Sequence, residues 1–189
     1  MDLFDSDLKI STNHISLEHV SIDDAQMIFD LRINHKGSIL KRINSNVAEQ
    51  EAYLIKYFDR FKNFEEIYYS VKSINANQVY GYVRLTDLNN DFKFSYESLI
   101  LKKSAPKVVS LDVILAIYKI GFELIAREIC GPWVIPIEGE RILKLHNKMG
   151  MISMLEKNKK YNICIVSKSN YKKKINFFEK LGLGTLIIN

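Results

Sequence analysis

Residues 111–127 are apolar on nearly every side of a helix, and this stretch does most to limit how the chain can fold. Ile114, Leu115, Ile117, Tyr118, Phe122 and Leu124 do not share one face at helical spacing. A helix with no polar stripe has to be buried within the domain, against one face of a sheet. Its neighbours in sequence offer that sheet. Residues 94–101 read as an apolar strand, 102–110 as a short basic turn and 133–136 as a second strand. An amphipathic helix then ends at Leu145-His146-Asn147-Lys148-Met149-Gly150. A strand that feeds a helix through a turn is a ready anion site, because the first helical N–H groups are unpaired and the dipole is positive there. A phosphate-bearing cofactor is therefore the first ligand to seek.

At 189 residues the chain suits one well-buried domain spanning 1–189, and no repeat, low-complexity tract or Pro/Gly-rich linker divides it. Hydrophobic residues make up 47% and charged residues 26%, which argues against disorder. The acidic start MDLFDSDLKIS does not read as a secretory signal, and no run approaches the roughly 20 apolar residues of a membrane span, so a cytoplasmic protein is expected. Cys130 and Cys164 lie in apolar runs without CxxC or histidine spacing, as buried reduced thiols do. No metal site is expected. The net charge of +5 is scattered apart from 157–160 and 172–174, which read as solvated lysines rather than a nucleic-acid surface.

Along the rest of the chain, residues 14–20 alternate as a strand, and Ser21 with Asp24 offers a capping box for a helix ending near Ile33. Asn46 caps a second helix whose Leu54, Phe58 and Phe61 recur at helical spacing. Residues 67–73, 79–86 and 92–101 form an antiparallel meander. Residues 151–155 and 161–166 form a last hairpin, and 170–181 a last helix. The expected architecture is α/β of the mixed α+β kind, a largely antiparallel sheet of about six or seven strands flanked by helices.

This order, with several local phrases, resembles the GNAT superfamily of acyl-CoA-dependent N-acyltransferases. The phrases are Leu31-Arg32-Ile33-Asn34, Gln50-Glu51-Ala52-Tyr53-Leu54, Tyr68-Tyr69-Ser70-Val71, Gly81-Tyr82-Val83-Arg84-Leu85-Thr86-Asp87 and Phe94-Ser95-Tyr96-Glu97-Ser98, with Arg141-Ile142-Leu143-Lys144-Leu145-His146 leading to Gly150. They are most similar to the bacterial subset encoded with surface-polysaccharide genes, which acetylates an amino group on a nucleotide-linked deoxy-sugar. The resemblance implies a splayed strand pair holding the pantetheine of acetyl-CoA on the backbone of Leu99, Ile100 and Leu101, with one N–H facing the thioester oxygen. It implies a pyrophosphate site at Lys103, Lys107, Val108, Val109 and Ser110. There the family's glycines are missing, and the lysines would substitute by charge. Gly139 stands where an asparagine usually holds the pantetheine arm, leaving Glu138 or Arg141 to replace it.

The same resemblance gives His146 as the acid or base of the reaction, as imidazole chemistry allows. A histidine packed or exposed at a helix end is the other reading. Glu97 is a second catalytic candidate, to accept the proton of the attacking ammonium, or else an outward-facing strand residue. Arg32, Tyr69 and Arg84 are expected on the acceptor side, where guanidinium suits nucleotide phosphate. The expected activity is direct transfer of acetyl from acetyl-CoA to a primary amine in a ternary complex, without metal, nucleic acid or membrane, with homodimerisation left open. Two rivals stand beside it: a ribosomal-protein-type N-terminal acetyltransferase, and a GNAT-fold protein that binds CoA or a partner without catalysis.

Overall fold

The structure is a computed structural model describing residues 5, 7–34, 46–76, 78–136 and 140–188, without the side chains of 140–142. Two short strands, β1 (Ile10–Ser11) and β2 (Ile15–His19), precede a helical turn at Ile22–Asp24 that runs into α1 (Ala25–Ile33). Then come α2 (Val47–Lys62), β3 (Ile67–Ser73), β4 (Val79–Thr86), β5 (Lys93–Leu101), α3 (Lys107–Lys119), β6 (Ile129–Pro136), α4 (Glu140–Met149), β7 (Ile152–Lys157), β8 (Tyr161–Ser167), α5 (Lys168–Lys180) and β9 (Ile187–Ile188). The strands form one nine-stranded sheet in the order β7-β8-β6-β5-β4-β3-β2-β1-β9. Every pairing is antiparallel except β5 with β6.

Local chemistry sets the ends of these elements. Ser21 and Asp24 form the capping box, and the Asn46 side chain accepts from the Glu49 N–H at the start of α2. The buried helix is α3, with residues 112 to 118 all sealed, but it begins at Lys107 rather than 111. Pro106 precedes the first turn, where a missing N–H costs nothing, so the basic segment expected as a turn through Ser110 is instead the helix's own first turn. Past Lys119 the helix widens into a π turn over Ile120–Leu124.

The sheet has nine strands where about six or seven were expected. The additions include β1 and β9, two residues each, which are too short to carry a period and exist because they pair with each other. β6 starts at Ile129, earlier than expected, because Gly131-Pro132 interrupts it as a bulge that hides the strand pattern. Tyr82 and Arg84 point to the side of β4 covered by α1 and α2, where Tyr82 donates to Asp24 and Arg84 to Tyr53. Val83 and Leu85 point the other way and are sealed in the core. Cys130 and Cys164 are free and buried. Among the described residues, no helix is long and apolar enough to cross a membrane.

Candidate active site

β5 and β6 run side by side for one step only, at Lys93 with Ile129 and Phe94 with Cys130, and then part. The cause lies in β5. Between Arg84–Glu97 and Tyr82–Ile100 the register slips, so β5 carries one residue more than β4, and Ser98 takes up the excess in the left-handed region at φ 53°. A bulge of this kind bends its strand and sharpens the twist. Beyond it Ile100 and Leu101 still pair with Tyr82 and Gly81, while the other edge of β5 at Leu99, Ile100 and Leu101 has no strand partner among the described residues. Gly81 lets the two chains come this close: a Cβ there would lie 2.0 Å from the Ile100 carbonyl oxygen. The wedge thus faces the peptide groups of Leu99 and Leu101, while those of Ile100 turn to β4.

Four aromatic residues close the narrow end of the wedge. Phe94 packs its ring over Gly121 in the π turn, where any larger residue would collide with it. Next along β5, Tyr96 is half-buried, and its hydroxyl lies 2.7 Å from His146 Nε2. The other ring nitrogen of His146, Nδ1, is 2.9 Å from the Tyr118 hydroxyl on α3. Trp133 on β6 stacks on the imidazole at 5.6 Å and 22°, and its indole N–H donates to the Tyr96 carbonyl at 3.4 Å. His146 is 1% exposed, and burial pushes its pKa down to about 4, so it is neutral at pH 7. Burial pushes both Tyr96 and Tyr118 well up, keeping them protonated.

At the start of α3, Lys103 and Lys107 are exposed, Val109 is buried, and the Ser110 hydroxyl turns back to the Lys107 carbonyl at 3.0 Å. Val108, Val109 and Ser110 therefore lie in the first turn of the helix rather than in a loop, and the Val109 N–H already donates to the Pro106 carbonyl at 3.0 Å. Gly139, Glu138 and the Arg141 side chain lie outside the described residues.

On the opposite face, Arg84 is the centre of a charged cluster. It donates to Tyr53 and to Glu97, and its Nη1 is 3.6 Å from Glu66, which also meets Arg60 at 3.0 Å. Glu97, at 53% side-chain exposure, is the open end of that cluster. Arg84 was expected to meet phosphate, but two carboxylates already match its charge, so it holds Glu97 in place instead. Arg32 lies beside the Tyr68 phenol at the end of α1. Tyr69 does not reach this face. It is 0% exposed, on the other side of β3, with His19 at 5.0 Å between ring centroids. The structure so assembles His146 with Tyr96, Tyr118 and Trp133, and Glu97 with Arg84, Tyr53 and Glu66. The partners beyond His146, Glu97 and Arg84 were missed, although Tyr96 stands next to Glu97 at the alternate strand position.

No family model matches the sequence, and no curated protein sequence is similar to it. Solved structures are similar over nearly the whole chain. One, described as apo FdhC, a nucleotide-linked sugar GNAT, superposes with a TM-score of 0.80 at 23% identity, covering 92% of this chain and 98% of that one. The chain has the GNAT fold. A spermidine N-acetyltransferase from Vibrio cholerae in complex with CoA and spermine has the same fold at TM-score 0.68 and 14% identity, with 84% and 98% covered. So has the N-acetyltransferase PseH of Campylobacter jejuni, at TM-score 0.60 and 13% identity, with 81% and 97% covered. The parting of β5 and β6 is the splayed pair that the resemblance to GNAT sequences implied.

Proposed function

We propose that this chain is an N-acyltransferase that moves acetyl from acetyl-CoA to a primary amine, with a nucleotide-linked amino-deoxy-sugar as the acceptor. The observation that carries the reading is the wedge between β5 and β6, with unpaired peptide groups on one wall and a histidine–tyrosine cluster at its vertex. The likeness to a nucleotide-linked sugar GNAT supports the acceptor class.

Acetyl-CoA supplies the activated acyl group, and the residues present fit it. The free edge at Leu99, Ile100 and Leu101 suits an amide-bearing arm, which would continue the sheet by strand-like hydrogen bonds. A backbone N–H from this stretch would also face the thioester oxygen, a preset donor worth about 3 kcal/mol in the transition state. Lys103, Lys107 and the helix's first turn at Val108, Val109 and Ser110 would meet the pyrophosphate. Arg141 would lie along the arm. Glu97, held by Arg84, would take the amine's proton at the open side, and the His146 cluster would serve the departing sulfur. Arg32 would face the acceptor's phosphates.

Calorimetric titration with acetyl-CoA, with desulfo-CoA as control, tests the cofactor site, and thiol release tests the acceptor. Micromolar binding is expected, and UDP- and dTDP-linked amino-deoxy-sugars should outrun spermidine and a ribosomal N-terminal peptide in kcat/KM. A peptide or polyamine that wins would replace the acceptor. No binding up to about millimolar, roughly 4 kcal/mol, would overturn the enzyme reading.

A further inference from the structure

His146 holds the position where an acid is expected, yet it is sealed from solvent at 1% exposure and both its ring nitrogens are occupied. A group in that state cannot meet a substrate atom without breaking one of its hydrogen bonds. Of the linked trio Tyr118, His146 and Tyr96, the first two are buried and only Tyr96 retains surface. Tyr96 also stands two residues past the point where β5 leaves β6, which puts it at the vertex of the wedge. We propose that the Tyr96 hydroxyl, backed by His146 and Tyr118, is the group that meets the CoA sulfur and gives it a proton. This rests on the acetyltransferase reading above.

The direction in this scheme is an assignment: the sealed Tyr118 hydroxyl gives its proton to His146 Nδ1, 2.9 Å away. A neutral imidazole has one N–H, so it then lies on Nε2 and donates to the Tyr96 oxygen at 2.7 Å. The phenol of Tyr118 adjoins that of Tyr96 as well. Tyr96 thus receives a hydrogen bond from behind, and its own proton is left to point outward into the wedge. In the transfer the N–C bond forms, the C–S bond breaks, and the Tyr96 proton passes to sulfur. The amine loses its proton to solvent by way of Glu97. The Nε2–H steadies the phenolate until solvent returns a proton to it as CoA leaves. His146 is in this scheme a positioning residue, and Trp133 fixes its ring by stacking.

The test needs no acceptor. Enzyme-bound CoA is titrated with base, and the thiolate is followed by its ultraviolet absorbance against the desulfo-CoA complex. A donor touching sulfur favours the thiolate, so Tyr96→Phe should raise the pH of half-ionisation by about one unit while leaving CoA affinity within a few fold. His146→Gln should raise it by less. The proposal falls if Tyr96→Phe leaves the midpoint unchanged, or if His146→Gln shifts it and Tyr96→Phe does not. Should Tyr96→Phe fail to fold, 3-fluorotyrosine at position 96 asks the same question, because a more acidic phenol should lower the midpoint. Failure of the wild-type protein to bind CoA at all would instead refute the acetyltransferase reading.

Discussion

The neutral state of His146 has a consequence for stability that can be separated from catalysis. In the unfolded chain a histidine takes up a proton near its model value of 6.5, whereas in the fold it resists protonation until about pH 4. Between those values the unfolded state binds more protons, so stability is full above about pH 6.5 and declines as pH falls toward 4. The shift corresponds to at most about 3 kcal/mol at the acid end. Thermal melts from pH 7.5 down to 4.5, the first pH above that window and the last within it, should therefore fall less steeply for His146→Gln than for the wild type. His19, lowered to about 4 by burial next to Phe61 and Tyr69, adds a slope of the same sign that this variant leaves intact. Parallel slopes in the two proteins would mean that the imidazole takes up its proton alike in the folded and unfolded chain, against the effect of its burial.

Among the elements, α3 joins the two parts of the proposed site. Its later part brings Tyr118 to His146, and its first turn carries Lys107, Val108, Val109 and Ser110. Without glycine in the approach, phosphate affinity there would lean on exposed charge, which salt screens. Replacing Lys103 and Lys107 together by Ala should weaken acetyl-CoA about tenfold at low salt and flatten the salt dependence, as isothermal titration at two ionic strengths would show. This element also shows what the sequence makes legible. Its all-round apolar pattern identifies the buried helix. Its start was misjudged because Pro106 and the lysines look like turn residues, and Tyr69 was misplaced because a tyrosine in a strand carries no mark of which face is sealed. Tyr96 escaped notice for a different reason: its meaning depends on Trp133 and His146, brought to it by a fold that no local pattern encodes.

At the scale of the whole molecule, Asp112 ties the far edge of the sheet to the core helix. This carboxylate is 0% exposed and accepts from the Thr12 hydroxyl, from the Gly184 N–H at 2.7 Å and from His14 at 3.2 Å. The segments before β2 and before β9 are held to α3 by one side chain. Removing it leaves buried donors without partners, so Asp112→Ala should lose about 3 kcal/mol, read from urea melts at pH 7.5, with Asp112→Asn recovering part of the loss. The Gly184 amide is on the opposite side of α3's tether from the wedge, yet the helix that holds it is the helix that fronts Lys107. Anything that steadies the first turn of α3 must also steady that amide, and its proton should then exchange with deuterium more slowly. An isotope-exchange rate at one rim of the sheet would thus record the arrival of a ligand between β5 and β6.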